Sequence, residues 1–229
     1  MSRIRPLELV QLGLIAVMFL IAASAWAVAP ERIPIHWNLQ GEVDGYGGKF
    51  VGLLLLPLMA FGLYWMLLLL PRLDPGKANY ESFAKVYGLI RVTVIVFMAG
   101  LYAVTVLAAL GYAIDMSMVV GVGVGLLMAI LGNFMGKIRP NWFAGIRTPW
   151  TLSSKLSWDK THRVGGWFFL GLGILIALAG ITQNSIMLVA TVVFGMVGLI
   201  GLVVYSYLVF RDDPDRISPA GTLPEPKSE

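Results

Sequence analysis

Residues 137–163 read KIRPNWFAGIRTPWTLSSKLSWDKTHR, a polar and aromatic stretch between two long apolar segments. It holds six of the 17 Lys and Arg residues, one of the two His residues and three of the seven Trp residues. A solvated linker would explain the charges alone, but Trp side chains concentrate where a membrane meets water. We therefore expect this stretch to lie at a membrane surface, with helices on either side presenting it.

The composition of the whole chain indicates an integral membrane protein. Hydrophobic residues make up 58% of the sequence and charged residues 13%, whereas about a quarter of the residues of soluble domains are charged. The mean hydropathy is +0.79. The chain has no Cys, which excludes disulfides, thiolate catalysis and Cys-ligated metals.

Six apolar segments are long enough to cross a bilayer as helices, which takes about 20 residues each. They cover residues 7–28, 50–70, 86–110, 116–136, 165–183 and 187–209. The first could be a signal peptide, but its apolar run exceeds the roughly 7–15 residues of such a segment, so we expect it to be retained. The predicted fold is all-α, an integral membrane protein with six transmembrane helices.

The distribution of Lys and Arg predicts that both termini are cytoplasmic, because these residues favour cytoplasmic loops. With the N-terminus inside, the cytoplasmic segments carry 14 of them and the outer loops carry two, Arg32 and Lys49. The last, Arg91, falls inside the third span. Snorkelling of its side chain to the headgroups is the simpler expectation, and a buried functional ion pair is the alternative.

The predicted outer loop, residues 29–49, is the second polar stretch and reads APERIPIHWNLQGEVDGYGGK. Pro30 and Pro34 disfavour a helix and the glycines supply turns, so we expect an ordered but irregular loop. His36 is its one side chain that titrates near neutral pH. Contact with an extracellular molecule and simple hydrogen bonding to neighbouring residues are both open to it.

Within the first stretch, Pro140 ends the preceding helix, and Thr148 with Pro149 predicts a helix start. A short amphipathic helix is expected from Ser154 onward. Pro57 predicts a kink in the second span. Glycines at helical spacing predict close helix packing within the chain; they are Gly121, Gly125, Gly132, Gly136, Gly195, Gly198 and Gly201.

Two runs of residues resemble a known family. The run GNFMGKIRPNWFAGIRTPWTLSSKLSWDKTHRVGG, residues 132–166, resembles the signature of the SdpI family, membrane proteins named for immunity to the sporulation-delaying-protein toxin of bacilli. The run PERIPIHWNLQGEVDGYGGK, residues 30–49, resembles the small domain of unknown function that accompanies this family at the N-terminus.

The resemblance implies a six-helix protein of the bacterial cell membrane that gives resistance to a secreted, membrane-active peptide toxin. In the name-giving member the protein also holds a cytoplasmic transcriptional repressor at the membrane, as a signal transducer. In the outer loop the family pattern falls on His36, Asn38, Gly41 and Lys49. In the cytoplasmic stretch it falls on Asn133, Asn141, Gly145, Arg147, Thr148, Pro149, Trp150, Thr151, Trp158 and His162.

We expect three parts in the chain. Residues 1–85 form a two-helix unit with the ordered outer loop, residues 86–210 form a four-helix unit with the cytoplasmic stretch, and residues 211–229 form a disordered, proline-rich tail. The expected partners are membrane lipids, a peptide toxin and a repressor protein, with no direct nucleic-acid contact. The oligomeric state is open.

Two other functional classes compete with immunity. An intramembrane enzyme needs a nucleophile and base or a set of metal ligands, yet neither HExxH nor GxSxG occurs. His36 and His162 lie on opposite predicted faces, so we predict no catalytic residue, metal or cofactor. A transporter or channel is the main alternative, although the predicted membrane interior offers no acidic residue, since Glu8 and Asp115 border it.

Overall fold

The computed structural model of the chain describes residues 5–38 and 40–216. Most of the predicted tail, residues 217–229, lies outside the described residues. Within the described ranges, six helices are long and apolar enough to cross a membrane. The prediction of an all-α, multi-pass membrane protein is therefore confirmed.

The membrane-length helices are α1 (Arg5–Ala25), α2 (Leu55–Leu73), α3 (Tyr80–Ala109), α4 (Met116–Met135), α6 (Lys155–Thr182) and α7 (Ser185–Arg211). Helix α5 (Pro149–Ser153) is a single short turn between α4 and α6. A hairpin of β1 (Ile33–Trp37) and β2 (Val43–Gly47) follows α1. A π-helical turn (Phe50–Leu54) precedes α2, and a 3-10 turn (Lys77–Asn79) precedes α3.

Helix α6 corrects one prediction. The short amphipathic helix expected from Ser154 and the span expected at 165–183 are one continuous helix of 28 residues. The Ser154 side chain caps its first turn by accepting a hydrogen bond from the N–H of Ser157, 2.9 Å away. Since no proline interrupts the run to Thr182, the polar first turns continue directly into the apolar part.

The expectation of an irregular outer loop is wrong, because residues 33–47 form an antiparallel hairpin. Ile33, Ile35 and Trp37 alternate with other residues along β1, which is the pattern of a strand. Pro34 is tolerated because an isolated hairpin consists of edge strands. Ile33 is fully buried, and it fits against Gly52 because a Cβ there would lie 2.6 Å from its Cγ2.

The loops of the chain gather at two opposite ends of the helix bundle. One end, called the polar end below, is formed by residues 74–79, 136–154 and 212–216. The opposite end, called the hairpin end, carries the hairpin and the short connections at 110–115 and 183–184. The two polar stretches identified in the sequence are thus separated by the length of the helices.

Helices α4 and α6 are in backbone contact, as the glycine spacing predicts. A Cβ at Gly125 would lie 2.5 Å from the carbonyl oxygen of Gly173, and one at Gly121 would lie 2.8 Å from the Cα of Gly180. A Cβ at Gly132 would lie 2.7 Å from the backbone N atom of Leu170. The predicted close packing is therefore confirmed for this pair of helices, and it is intramolecular.

The remaining predicted glycines behave differently from one another. Gly198 is packed against the ring of Phe168, so it too allows a close helix contact. Gly136 and Gly195 make only ordinary van der Waals contacts. The prediction is wrong for Gly201, where an added Cβ would meet nothing within 4 Å.

Two prolines in α2 are accommodated by different means. Pro57 lacks the N–H that would bond the carbonyl of residue 53, and a π-helical turn at 50–54, which is wider than an α-helical turn, includes that carbonyl. Pro71 leaves the carbonyl of Leu67 without its helical partner. The hydroxyl of Tyr87 on α3 donates a hydrogen bond of 2.6 Å to that carbonyl.

Arg91 on α3 contradicts the snorkelling expectation. Its side chain is only 4% exposed, and its Nη1 lies 3.8 Å from Oε1 of Glu8 on α1. The guanidinium also lies over the ring of Tyr64 on α2, 5.5 Å from the ring centroid. Arg91 is therefore packed between the first three helices, where the partly exposed Glu8 supplies a nearby opposite charge.

Candidate functional site

Asn141 organises the loop between α4 and α5. Its side chain is 1% exposed, and its Oδ1 accepts hydrogen bonds from the N–H groups of Phe143 (2.9 Å) and Ala144 (2.6 Å). Its Nδ2 donates to the carbonyl oxygens of Arg139 (2.9 Å) and Ala144 (3.0 Å). An amide side chain that both donates and accepts is needed to close the loop in this way.

A carboxylate from the α2–α3 loop holds this loop in place. Oδ2 of Asp74 accepts hydrogen bonds from the N–H of Trp142 (3.0 Å) and the hydroxyl of Tyr80 (2.9 Å). Oδ1 accepts from the N–H of Gly76 (2.6 Å). Asp74 is 2% exposed, and these three donors compensate a buried charge that would otherwise be costly.

His162 joins the loop to α6. Its Nε2 accepts a hydrogen bond from the N–H of Ile146 (3.0 Å), so the ring proton belongs on Nδ1, which donates to the carbonyl of Trp158 (2.8 Å). The ring stacks on Trp158 with centroids 4.0 Å apart. Gly145 has φ +110°, and a Cβ there would overlap Nε2 of His162. Only glycine therefore suits this position.

Helix α5 begins with a reciprocal cap, as Thr148 and Pro149 predict. Thr148 accepts a hydrogen bond on Oγ1 from the N–H of Thr151 (3.1 Å), and Thr151 accepts one on Oγ1 from the N–H of Thr148 (2.9 Å). Pro149 occupies the first turn. Trp150 packs edge-on against Tyr207 of α7, with centroids 5.2 Å apart.

Buried hydroxyl groups tie α5 and α6 to the end of α7. Oγ of Ser206 lies 3.0 Å from Oγ1 of Thr148, and its carbonyl accepts a hydrogen bond of 2.7 Å from the hydroxyl of Ser157. The hydroxyl of Ser154 donates to Oδ2 of Asp213 at 2.5 Å. The polar end is thus one connected network that includes residues of the α2–α3 loop, α3, the α4–α5 loop, α5, α6 and the end of α7.

The ion pairs at this end lie on its surface. Asp159 is 3.8 Å from Arg139 and 3.9 Å from Lys155, measured between side-chain O and N atoms. A hydrogen bond from Arg211 holds the pKa of the Asp212 carboxyl below its ordinary value. Exposed pairs of this kind contribute little to stability because water screens them, so the buried network is the stronger determinant of the local structure.

The network presents a set of exposed side chains, called the basic-aromatic surface below. It consists of Lys137, Arg139, Trp142, Phe143 and Arg147. Trp142 is 54% and Phe143 39% exposed, and Arg147 is fixed by a hydrogen bond of 2.6 Å from its Nη1 to the carbonyl of Trp142. These groups are free to contact lipid headgroups or another protein.

The structure brings together nine of the ten residues predicted in this stretch: Asn141, Gly145, Arg147, Thr148, Pro149, Trp150, Thr151, Trp158 and His162. Asn133 is separate, because it is exposed on α4. Most of the nine hold the loop and α5 in place, whereas Arg147 and Pro149 reach the surface.

Sequence reasoning missed Asp74, Tyr80, Ser206 and Asp213, which complete the network from distant parts of the chain. The run Asp74-Pro75-Gly76 is typical of a turn in which the Asp side chain bonds its own backbone, and this was the one available signal. Single Ser and Tyr residues in apolar helices carry no comparable signal.

The predicted outer-loop residues all lie in or beside the hairpin. Nδ1 of His36 is 2.5 Å from Oδ1 of Asp44 across the two strands, and both side chains are exposed. Asn38 shapes the turn by accepting hydrogen bonds on Oδ1 from the N–H groups of Gln40 (3.0 Å) and Glu42 (2.9 Å). These contacts connect the two strands and shape the turn between them.

Two further residues attach the hairpin to its surroundings. Gly41 has φ +80°, and a Cβ there would lie 3.2 Å from Oγ of Ser117, at the start of α4. Lys49 pairs with Glu31 at 3.0 Å. The hairpin therefore contacts the start of α4, in addition to its contact with Gly52 just before α2.

The two histidines lie at opposite ends of the bundle, so they do not share a site. Within residues 5–38 and 40–216, no three His, Cys, Asp or Glu side chains are grouped closely enough to hold a metal ion.

Comparison with known proteins gives two family matches and one curated relative. Residues 137–206 match the SdpI/YfhL protein family, and residues 13–61 match a domain of unknown function, DUF1648. The protein named Immunity protein SdpI of Bacillus subtilis (strain 168) is 24% identical over 207 residues, which cover 89% of this chain and 96% of that protein. No solved structure matches this chain.

The first match begins at the loop that Asn141 organises and ends at Ser206, and the second contains the whole hairpin. Together with the six apolar helices, these matches confirm the family resemblance. The chain is a multi-pass cell membrane protein that is similar to the SdpI/YfhL family over residues 137–206 and to DUF1648 over residues 13–61.

Proposed function

We propose that this protein is a membrane immunity protein that protects its cell against a secreted, membrane-active peptide toxin. The observation that carries the proposal is the extent of the similarity to Immunity protein SdpI, which spans 89% of this chain and 96% of that relative. A shared region of this size is much longer than either family match, residues 13–61 or 137–206. The similarity is thus to the whole architecture and not to one module.

The hairpin is the part that we expect to meet the toxin. The Lys and Arg distribution predicts that it lies outside the cell, on the side from which a secreted peptide arrives. Its exposed side chains combine apolar surface, with Ile35 40% and Tyr46 51% exposed, and the His36–Asp44 pair. An amphipathic peptide needs such a mixture of apolar and charged contacts.

The basic-aromatic surface is the part that we expect to bind a cytoplasmic partner, either anionic lipid or a repressor protein. Arg147 and Trp142 stand out from a network that is otherwise buried, which gives a partner a fixed surface to recognise. Aromatic and Arg side chains are the residues that most often dominate binding energy at protein interfaces. The buried residues then act by holding this surface in position.

The contacts also support a route for signal transduction from one end to the other. The hairpin touches the start of α4 at Gly41 and Ser117, α4 is locked to α6 through the glycine contacts, and α6 carries His162 at the polar end. A movement of the hairpin would therefore displace α4 and α6 as a unit. We propose that the N-terminal two-helix unit (1–85) and the four-helix unit (86–210) meet along this route.

A survival assay tests the proposal. Sensitive cells that express the full chain are challenged with the sporulation-delaying-protein peptide and, separately, with an unrelated pore-forming peptide. Immunity predicts a higher survival than in cells with an empty vector, against the first peptide only. Equal protection against both peptides, or protection against neither, would contradict a dedicated immunity function.

Transport is a second candidate, favoured by one observation. The buried Arg91 pairs with the partly exposed Glu8 between α1 and α3, and charged residues within the membrane often mark ion or substrate pathways. Purified protein in liposomes would then move an ion or solute down a gradient. Flux that Arg91→Met abolishes would favour transport over immunity.

A further inference from the structure

A further cluster of polar side chains lies outside the hairpin and the α4–α5 loop, and it is centred on Arg91. Leu7 of α1 contacts Gly88 of α3, since a Cβ at Gly88 would lie 2.9 Å from Cδ1 of Leu7. Both helices run from the polar end toward the hairpin end, so the residues about one turn further on, Gln11 and Arg91, lie at the same level. Glu8 is on the same side of α1, facing Arg91.

The hydrogen-bonding groups of these side chains are only partly used. Nη1 of Arg91 faces Glu8 at 3.8 Å, which is too long for a hydrogen bond, while its Nε and Nη2 are buried without a partner. Gln11 is fully buried. Its Nε2 donates to the carbonyl of Leu7 at 2.8 Å, and its Oε1 is buried without a partner.

The geometry of these unpartnered atoms defines what would satisfy them. Nε–H and Nη2–H lie on one edge of the planar guanidinium and point the same way, so one oxygen can accept from both. Oε1 of Gln11 needs a donor. A bound anion would satisfy Arg91 but would face the Gln11 oxygen with a second acceptor, whereas a water molecule accepts on one side and donates on the other.

We propose that Arg91 and Gln11 hold a bound water molecule between α1 and α3, inside the apolar part of the helix bundle. The water accepts hydrogen bonds from Nε and Nη2 of Arg91 and donates one to Oε1 of Gln11. Water reaches the site past Glu8, whose side chain is 34% exposed. The site does not depend on the proposed immunity function.

Radiolytic hydroxyl labelling of the full chain in lipid nanodiscs tests this proposal, because radicals formed from a bound water modify the side chains beside it. Tyr64 is 4% exposed, and its ring lies 5.5 Å from the guanidinium. We expect severalfold faster labelling of Tyr64 than of Met18, which is 1% exposed in the apolar core of the same bundle.

Two variants remove the water's partners, and one serves as a matched control. Gln11→Met keeps the shape of the side chain and removes the acceptor, and Arg91→Met removes the donors, so each should lower the labelling of Tyr64 to that of Met18. Leu12→Ala changes the exposed neighbour of Gln11 and should leave the labelling of Tyr64 unchanged. If Arg91→Met does not insert into the membrane, the labelling of Tyr64 in Gln11→Met still tests the proposal.

If Tyr64 in the unmodified protein is labelled no faster than Met18, the proposal is overturned. Fast labelling that persists in Gln11→Met would also overturn it. A high-resolution density map that shows Arg91 donating directly to Gln11, with no water between them, would overturn it as well.

Discussion

Nε2 of His162 accepts a hydrogen bond from the backbone N–H of Ile146, 3.0 Å away, and so fixes the loop between α4 and α5 to the first turns of α6. The bond requires Gly145, whose backbone has φ +110° and which has no side chain to overlap the imidazole. This relationship explains why the sequence places glycine directly before Ile146.

We predict that Gly145→Ala destabilises the protein by about 1–3 kcal/mol, because it combines backbone strain with an overlap at His162. Thermal unfolding in detergent measures the change. Gly171→Ala on α6 is the matched control, since an added Cβ there meets nothing within 4 Å, and we expect it to be neutral or slightly stabilising. Equal unfolding temperatures for the two variants would refute the proposed role of the His162 contact.

Asp74→Asn tests whether the α2–α3 loop holds the neighbouring loop. At least one of the three donors that Asp74 now satisfies would face an NH2 group, so we expect a loss of about 1–3 kcal/mol in local stability. Cleavage by trypsin after Arg147 should become faster, because the loop opens more often. Asp212→Asn, at an exposed carboxylate, is the control and should leave the cleavage rate unchanged. An unchanged cleavage rate in Asp74→Asn would mean that other contacts hold the loop.

Tyr87→Phe tests the hydrogen bond to the Leu67 carbonyl that Pro71 leaves unpaired. Removing the hydroxyl should destabilise the protein by about 1–3 kcal/mol, since a buried carbonyl would lose its partner. Tyr112→Phe, at a side chain 62% exposed, is the control. The same unfolding temperature in both variants and the original would mean that the carbonyl is satisfied in another way.

Gly125→Val tests the contact between α4 and α6. The added side chain would meet the carbonyl of Gly173 and the backbone of Ala177, so the two helices must separate, and we expect a severe loss of folded protein in the membrane. Gly201→Val should be tolerated, because that position is open. Normal abundance and stability of Gly125→Val would show that α4 and α6 pack differently.

The sequence predicted the membrane helices well because length and hydrophobicity decide whether a segment can span a bilayer. The prediction of an irregular loop was wrong at the hairpin. It gave more weight to Pro34 and the glycines than to the alternation of Ile33, Ile35 and Trp37. A proline argues against a central strand but not against an isolated hairpin, and a single sequence does not distinguish the two cases.

The prediction that the Arg91 side chain reaches the headgroups was wrong for a related reason. The distance of Arg91 from the helix end favoured snorkelling, but the outcome depended on Glu8, which is 83 positions away in the chain. The candidate site was largely predictable because nine of its residues lie in one stretch. Its partners Asp74, Ser206 and Asp213 were not predictable, since only the fold brings them to that stretch.

The most direct measurement of the central claim is the survival of toxin-sensitive cells that express this protein or its variants at equal membrane abundance. Immunity through the two proposed surfaces predicts that the unmodified protein protects specifically against the sporulation-delaying-protein peptide. It also predicts that His36→Ala or Arg147→Ala lowers this protection, while Lys160→Ala, at an exposed cation outside the basic-aromatic surface, does not. Absence of protection by the unmodified protein would contradict the immunity function, and full protection by both His36→Ala and Arg147→Ala would contradict the assignment of the two surfaces.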